Sequence, residues 1–293
     1  VGRPIVRPRT FDVPWRIRDP FLAIFWTYLT CTALMIAWGI TLAISLRVHG
    51  VVPSKSDLSE LFRSLFTRSP GLDFLLIIQS LLTVGFIFVC ILRPWSVPVT
   101  HFFIKDQASS DARFAMKLFF ACLLASVAIA AAMVGLIKGV SLILGRDPAV
   151  FLERYEQGME QEARLVLSPQ MSWLRLVPIV LLGPPIEELL FRGCLYAALR
   201  KRFAAWQSNL MSSTVFALSH NYLYGFPNVF LLGLLGAYAY ERRRSLSAPI
   251  LFHMLWNTSC AAFIKPTLWL VLIGILLGLY LWSSSSTENQ ATR

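Results

Sequence analysis

Charge is scarce in this 293-residue sequence: Asp, Glu, Lys and Arg together make up 15% of it, and histidine occurs four times. Apolar residues fill 56% and the mean hydropathy is +0.61, which excludes an ordinary soluble domain. Cysteine is sparse as well. Cys31, Cys90, Cys122, Cys194 and Cys260 lie scattered through apolar stretches with no CxxC pair, which argues against a disulfide framework and a cysteine zinc site. Acids are the rarer charge, 16 against 27 Lys and Arg, for a net +11. In a soluble protein that excess could point to nucleic acid. Here the bases sit beside apolar runs, as at Arg200, Lys201, Arg202 and at Arg242, Arg243, Arg244, where they anchor helices and set orientation. No nucleic-acid partner is expected, and no internal repeat is visible.

What the sequence does have is apolar runs of the roughly 20 residues that cross a bilayer as a helix. The expected fold class is all-α, a polytopic transmembrane helix bundle of about eight transmembrane helices, near residues 21–46, 72–92, 114–144, 174–199, 206–220, 229–240, 248–264 and 267–282. The fifth and sixth are short and carry Ser208, Asn209, Ser212 and Ser213, which suit helices buried among helices. About twenty polar, Arg-rich and Pro-rich residues precede the first run, which reads as a cytosolic tail and an anchor. Arg93, Lys105, Arg113 and the 200–202 and 242–244 clusters, set against Arg47, Lys55, Arg63 and Arg68, favour a cytosolic N-terminus.

The link at 145–173 is long and holds Asp147, Glu153, Glu156, Glu160 and Glu162. Phe151, Tyr155, Met159 and Ala163 recur at helical spacing and predict a surface helix, either a solvated connector or a lid. The Ser-rich tail from residue 283 is expected to be disordered. Three stretches of one integrated membrane domain follow: 1–173 with the tail, three spans and the connector helix; 174–264 with the polar residues; and 265–293 with the last span and tail.

Inside the fourth span the sequence reads Leu181-Leu182-Gly183-Pro184-Pro185-Ile186-Glu187-Glu188-Leu189-Leu190-Phe191-Arg192-Gly193. Each charge costs about 2.5–3.5 kcal/mol at the centre of a bilayer, so something must compensate three of them. Glu188 and Arg192 are four apart and share a helical face, which permits an ion pair. Glu187 lies about 100° around the helix and is available for other work. A bland reading competes: Pro184 and Pro185 could start a new helix with both acids in its first turn. Two further polar sites tilt the balance. His220 follows Phe216 by four residues, and His253 precedes Asn257 by four on one face. A carboxylate beside imidazoles is what water activation or metal binding needs.

EExxxR at Glu187, Glu188 and Arg192, FxxxH at Phe216 and His220, and HxxxN at His253 and Asn257, in this order, resemble the CAAX-protease and bacteriocin-processing family of intramembrane proteases, which includes the Ras-converting prenyl endopeptidases. Phe191, Gly193 and the run from Ser245 to Ile250 fit that resemblance, which covers about residues 174–260. It implies a hydrolase, an endopeptidase that cuts a peptide bond at or within the membrane of a substrate with a hydrophobic or membrane-embedded segment, as in CAAX processing. It also implies roles: Glu187 as the base that activates water with His220, His253 and Asn257 as oxyanion stabilisers, and Glu188, Arg192 and Phe216 as their supports. Glu187, His220 and His253 could alternatively hold a zinc ion, although HExxH is absent; the expected cofactor is none, or Zn. GxGD, rhomboid-type GxS and HExxH with a later LDG are all missing. A catalytically silent scaffold or immunity protein, and an ion- or proton-coupled transporter, are the alternatives. The expected location is a bacterial plasma membrane.

Overall fold

A computed structural model describes residues 11, 13–48, 70–104, 107–167 and 173–291. Lys55, Arg63, Arg68, Lys105 and most of the N-terminal tail lie outside the described residues. Among the described residues the chain is helical and has no strand. Helix α1 is Arg18–Val48, and α2 is Pro70–Ile87 with a π-helical turn at Phe88–Leu92. Helix α3 is Ala108–Ile143 and α4 is Pro148–Val166. Helix α5 is a composite rod, π-helical at Val177–Leu182, α-helical at Gly183–Glu188, π-helical at Leu189–Tyr196 and α-helical at Ala197–Arg200. Helices α6 (Ala205–Ser219), α7 (Phe226–Arg243), α8 (Ser247–Ile264) and α9 (Leu268–Ala291) complete the bundle.

All eight expected spans are helices, and the expected surface helix is α4. The all-α membrane bundle stands; a count of eight crossings does not follow from it. By length and composition Arg18–Thr41, Asp73–Leu92 and Ala108–Ile143 can cross a membrane. Helix α6, with 15 residues, rises about 22 Å, short of about 30 Å of hydrocarbon. The outer helices present apolar side chains outward, among them Ile36, Ile40 and Ile44 of α1 and Leu124 and Val127 of α3. Such surface suits a lipid surround.

The interior is different. Ser208, Ser212 and Ser213 of α6 are buried, and two of them bond inward: Ser212 donates to the Phe191 carbonyl at 3.1 Å and Ser213 to Asn209 at 3.0 Å, while Asn209 donates to the Leu234 carbonyl of α7 at 3.1 Å. Gly233 lets α7 approach α6 closely, because a Cβ there would stand 3.0 Å from Cβ of Ser213. Small residues and side-chain hydrogen bonds thus replace the hydrophobic drive that lipid cannot supply.

The arginine clusters do more than anchor. Arg243 pairs with the buried Asp111 at 2.6 Å and bonds Ser110, while Arg200 and Arg244 share Glu241 at 3.1 and 3.0 Å. Two expectations are corrected. The polar tail continues as helix to Ala291, because Ser283 and Ser284 turn their hydroxyls back onto Tyr280 and Leu281 carbonyls at 2.9–3.1 Å and so stay compatible with the turn. The inward face of α4 drifts from the expected stripe: Ala163 is exposed and Glu162 half-buried.

Candidate catalytic site

The prolines of α5 shape the site first. Pro184 and Pro185 have no N–H, so carbonyls one turn earlier lose their helical donors. The rod responds with a π-helical turn in which Gly183 N–H bonds the Pro178 carbonyl. Asn257 of α8 donates its Nδ2 hydrogen to the neighbouring Ile179 carbonyl at 2.9 Å. Asn257 therefore clamps α8 to the widened turn just before the two acids. A second π-helical turn follows them, a feature that concentrates at functional sites.

Glu187 and Glu188 then diverge. Glu188 is buried, pairs with Arg192 at 3.1 Å and accepts the Nδ1 hydrogen of His253 at 2.9 Å. Arg192, equally buried, also donates to the Gly233 carbonyl at 3.1 Å and lies 4.3 Å from the centre of the Phe216 ring. Phe216 in turn packs against the His220 and His253 rings, at 4.6 and 5.8 Å between centroids. Glu187 keeps 32% of its side-chain surface open and His220 23%, against 1–2% for Glu188, Arg192 and His253. The reachable acid is Glu187.

Hydrogen bonding assigns the imidazoles. Nδ1 of His220 lies 2.8 Å from the Phe216 carbonyl, which can only accept, so that nitrogen carries the hydrogen. Nδ1 of His253 is engaged by Glu188 in the same way. Both Nε2 atoms consequently face Oε2 of Glu187, at 3.6 Å from His220 and 3.8 Å from His253. Those distances exceed direct hydrogen bonds. Three acceptor-type atoms converging within 4 Å repel one another unless a proton or a cation stands among them.

The triangle is slightly wider than a zinc ion requires: bonds of 2.0–2.2 Å hold tetrahedral donors about 3.3–3.5 Å apart, against 3.6 and 3.8 Å here. Among the described residues no group of three or more His, Cys, Asp or Glu has metal-holding geometry.

Glu187, Glu188, Arg192, His220 and His253 are thus brought together by α5, α6 and α8, with Phe216 packed among them, while Asn257 is placed on the Ile179 carbonyl in the turn ahead of them. Sequence reasoning missed Gly236, where a Cβ would stand 2.8 Å from Nη2 of Arg192; the spacing of Gly233, Gly236 and Ala237 was the available signal. It also missed Tyr28 of α1, whose hydroxyl donates to the carbonyl of Ser219, one residue before His220.

Comparison with known proteins bears on the same stretch. Residues 169–259 match the family described as Type II CAAX prenyl endopeptidase Rce1-like. The chain is 35% identical over 85 residues to the membrane-embedded CAAX protease MroQ of Staphylococcus aureus, covering 27% of this chain and 34% of that protein. It is 28% identical over 103 residues to the putative membrane peptidase YdiL of Bacillus subtilis, covering 34% and 42%. An uncharacterized 24.3 kDa protein of Escherichia coli is 35% identical over 86 residues, covering 28% and 40%. The chain thus spans less than half the length of these relatives. No solved structure matches it. The resemblance read from the three motifs is borne out: over residues 169–259 this membrane protein is similar to the Rce1-like CAAX prenyl endopeptidases.

Proposed function

We propose that the chain is an intramembrane endopeptidase in which Glu187 activates water without a metal ion. The observation that carries this reading is the convergence of both Nε2 atoms on one oxygen, Oε2, of the more open of the two acids. Glu187 takes a proton from water, and the resulting hydroxide oxygen bonds to the peptide carbonyl carbon. Charge collects on the carbonyl oxygen. His253, when protonated at Nε2 and backed by Glu188, and the second Nδ2 hydrogen of Asn257 are the donors for that oxyanion. As the intermediate collapses the carbon–nitrogen bond breaks, and the proton held by Glu187 passes to the departing amine, with His220 beside it to relay.

The substrate class is a peptide or protein with a hydrophobic or membrane-embedded segment. A bacterial plasma membrane with a cytosolic N-terminus fits the bacterial relatives and the placement of Lys and Arg. The test uses purified protein in detergent and a library of hydrophobic fluorogenic peptides. Wild type is expected to cleave, with or without a strong zinc chelator, while Glu187→Ala and His253→Ala lose turnover at unchanged folding. Activity abolished by the chelator and restored by zinc would overturn the metal-free mechanism. A wild type that cleaves nothing, with both substitutions lowering thermal stability, would favour the scaffold reading.

A further inference from the structure

The acids of α4 with described partners mostly serve their own helix. Asp147 caps it by accepting from Ala149 N–H at 2.9 Å, Glu153 bonds Gln157 at 3.0 Å, and Glu160 pairs with Arg164 at 2.6 Å. Glu162 reaches out instead. Its Oε1 accepts the backbone N–H of Leu223 at 2.7 Å and of Tyr224 at 3.0 Å, and its Oε2 that of Gly225 at 2.8 Å. Those amides belong to the segment joining α6 to α7, and the carboxylate lies at the positive end of α7. One turn earlier on the same face of α4, Gly158 lies against the Tyr224 ring so closely that a Cβ would collide with it. Tyr155 meets the same ring edge-on at 5.9 Å between centroids.

That segment starts at His220, which ends α6 and is followed by Asn221 in the left-handed conformation, φ 56°. Five residues separate His220 from α7, so whatever fixes 223–225 limits where His220 can stand. Tyr28 holds Ser219 from the α1 side, and α4 holds the other end.

We propose that Glu162 is a positioning residue for the catalytic centre: by binding three consecutive backbone N–H groups it holds the 221–225 segment, and thereby sets Nε2 of His220 against Glu187. The proposal rests on the reading of Glu187 and His220 as working partners. It gives the acidic link a task beyond connecting two spans. Three charge-assisted hydrogen bonds to one carboxylate are strong and geometrically demanding, and a small misplacement of a reacting group is costly in rate.

The test compares full-length wild type with Glu162→Gln, Glu162→Asp, Gly158→Ala and, as a surface control, Glu160→Gln. Three measurements are made: peptide cleavage, hydrogen exchange over 221–225, and nitrogen NMR of the His220 and His253 rings, assigned with His→Asn variants. For Glu162→Gln the expected result is a kcat lower by at least about fivefold with KM within about twofold. Exchange at 223–225 should accelerate, and the His220 ring signals should move while those of His253 stay. Gly158→Ala should act in the same direction, Glu162→Asp should recover part of the loss, and Glu160→Gln should match wild type. Faster exchange with kcat and the His220 signals unchanged would overturn the proposal, since the grip would then be structural only; so would unchanged exchange. The ring signals are read without turnover, so a wild type that cleaves nothing defeats the protease reading while the His220 shift still decides what Glu162 does.

Discussion

Glu187 and Glu188 are chemically identical neighbours whose surroundings give them different tasks. Glu188 is enclosed with Arg192 and His253, while Glu187 is open and faced by two imidazole nitrogens. Glu187→Gln should lower kcat by at least about 100-fold, the scale of a lost general base, and leave the melting temperature near that of wild type. Glu188→Gln should lower both, because the same carboxylate balances Arg192 and backs His253. It leaves the buried Arg192 without its carboxylate and should cost about 3 kcal/mol of stability, read from thermal unfolding in detergent. Equal stability loss from both substitutions would contradict the division of labour. The division was legible in part: the four-residue spacing of Glu188 and Arg192 pointed to the ion pair. Nothing in the spacing could tell that Glu188 would also hold His253, because that contact joins positions 65 apart in sequence.

At the scale of elements, the site is made by close approach. Helix α7 supplies no motif residue, yet Gly233 and Gly236 let it lie against α6 and against the Arg192 guanidinium. Gly236→Ala would press a methyl group into Arg192 and should destabilise by about 1–3 kcal/mol, the usual range for overpacking. Gly274→Ala on α9, where an added Cβ meets nothing within 4 Å, should be silent. Thermal unfolding of the two variants in parallel checks this, and equal behaviour would show that Arg192 can move aside. The same scale explains Asn257. Read from sequence it is a candidate oxyanion donor; in the fold one of its amide hydrogens also bonds the Ile179 carbonyl in the widened turn ahead of Pro184. A proline pair announces a disturbed helix, but which side chain repairs it depends on the neighbouring helix.

For the whole molecule, the three motifs alone mislead about where the site's support comes from. The stretch 169–259 is held by residues outside it. Trp15 is fully buried and donates its indole hydrogen to the Cys194 carbonyl at 2.9 Å, Lys201 bonds the Val13 carbonyl at 2.8 Å, and Leu246 N–H bonds the Phe102 carbonyl at 2.9 Å. Just before α5 the buried Arg175 pairs with Asp73 of α2 at 2.6 Å. Trp15→Ala should therefore cost about 3–5 kcal/mol, the range for emptying an aromatic site, and reduce peptide cleavage through loss of folded protein. Activity per folded molecule should stay unchanged. A melting temperature equal to wild type would show that the N-terminal segment is dispensable.

Composition and periodicity by themselves determined the membrane class, the helical fold and the positions of its helices, because hydrophobic length and 3.6-residue spacing are local properties. They also determined which polar residues had to find one another, since isolated charge in an apolar helix is too costly to leave unpaired. Only the tertiary structure decided which atom of each faces which: that both Nε2 atoms meet Glu187, that Glu162 leaves its own helix for the segment after His220, and that two glycines on α7 make the room. Those outcomes depend on helix crossings between residues tens of positions apart, and the spacing along one strand of sequence carries no record of them.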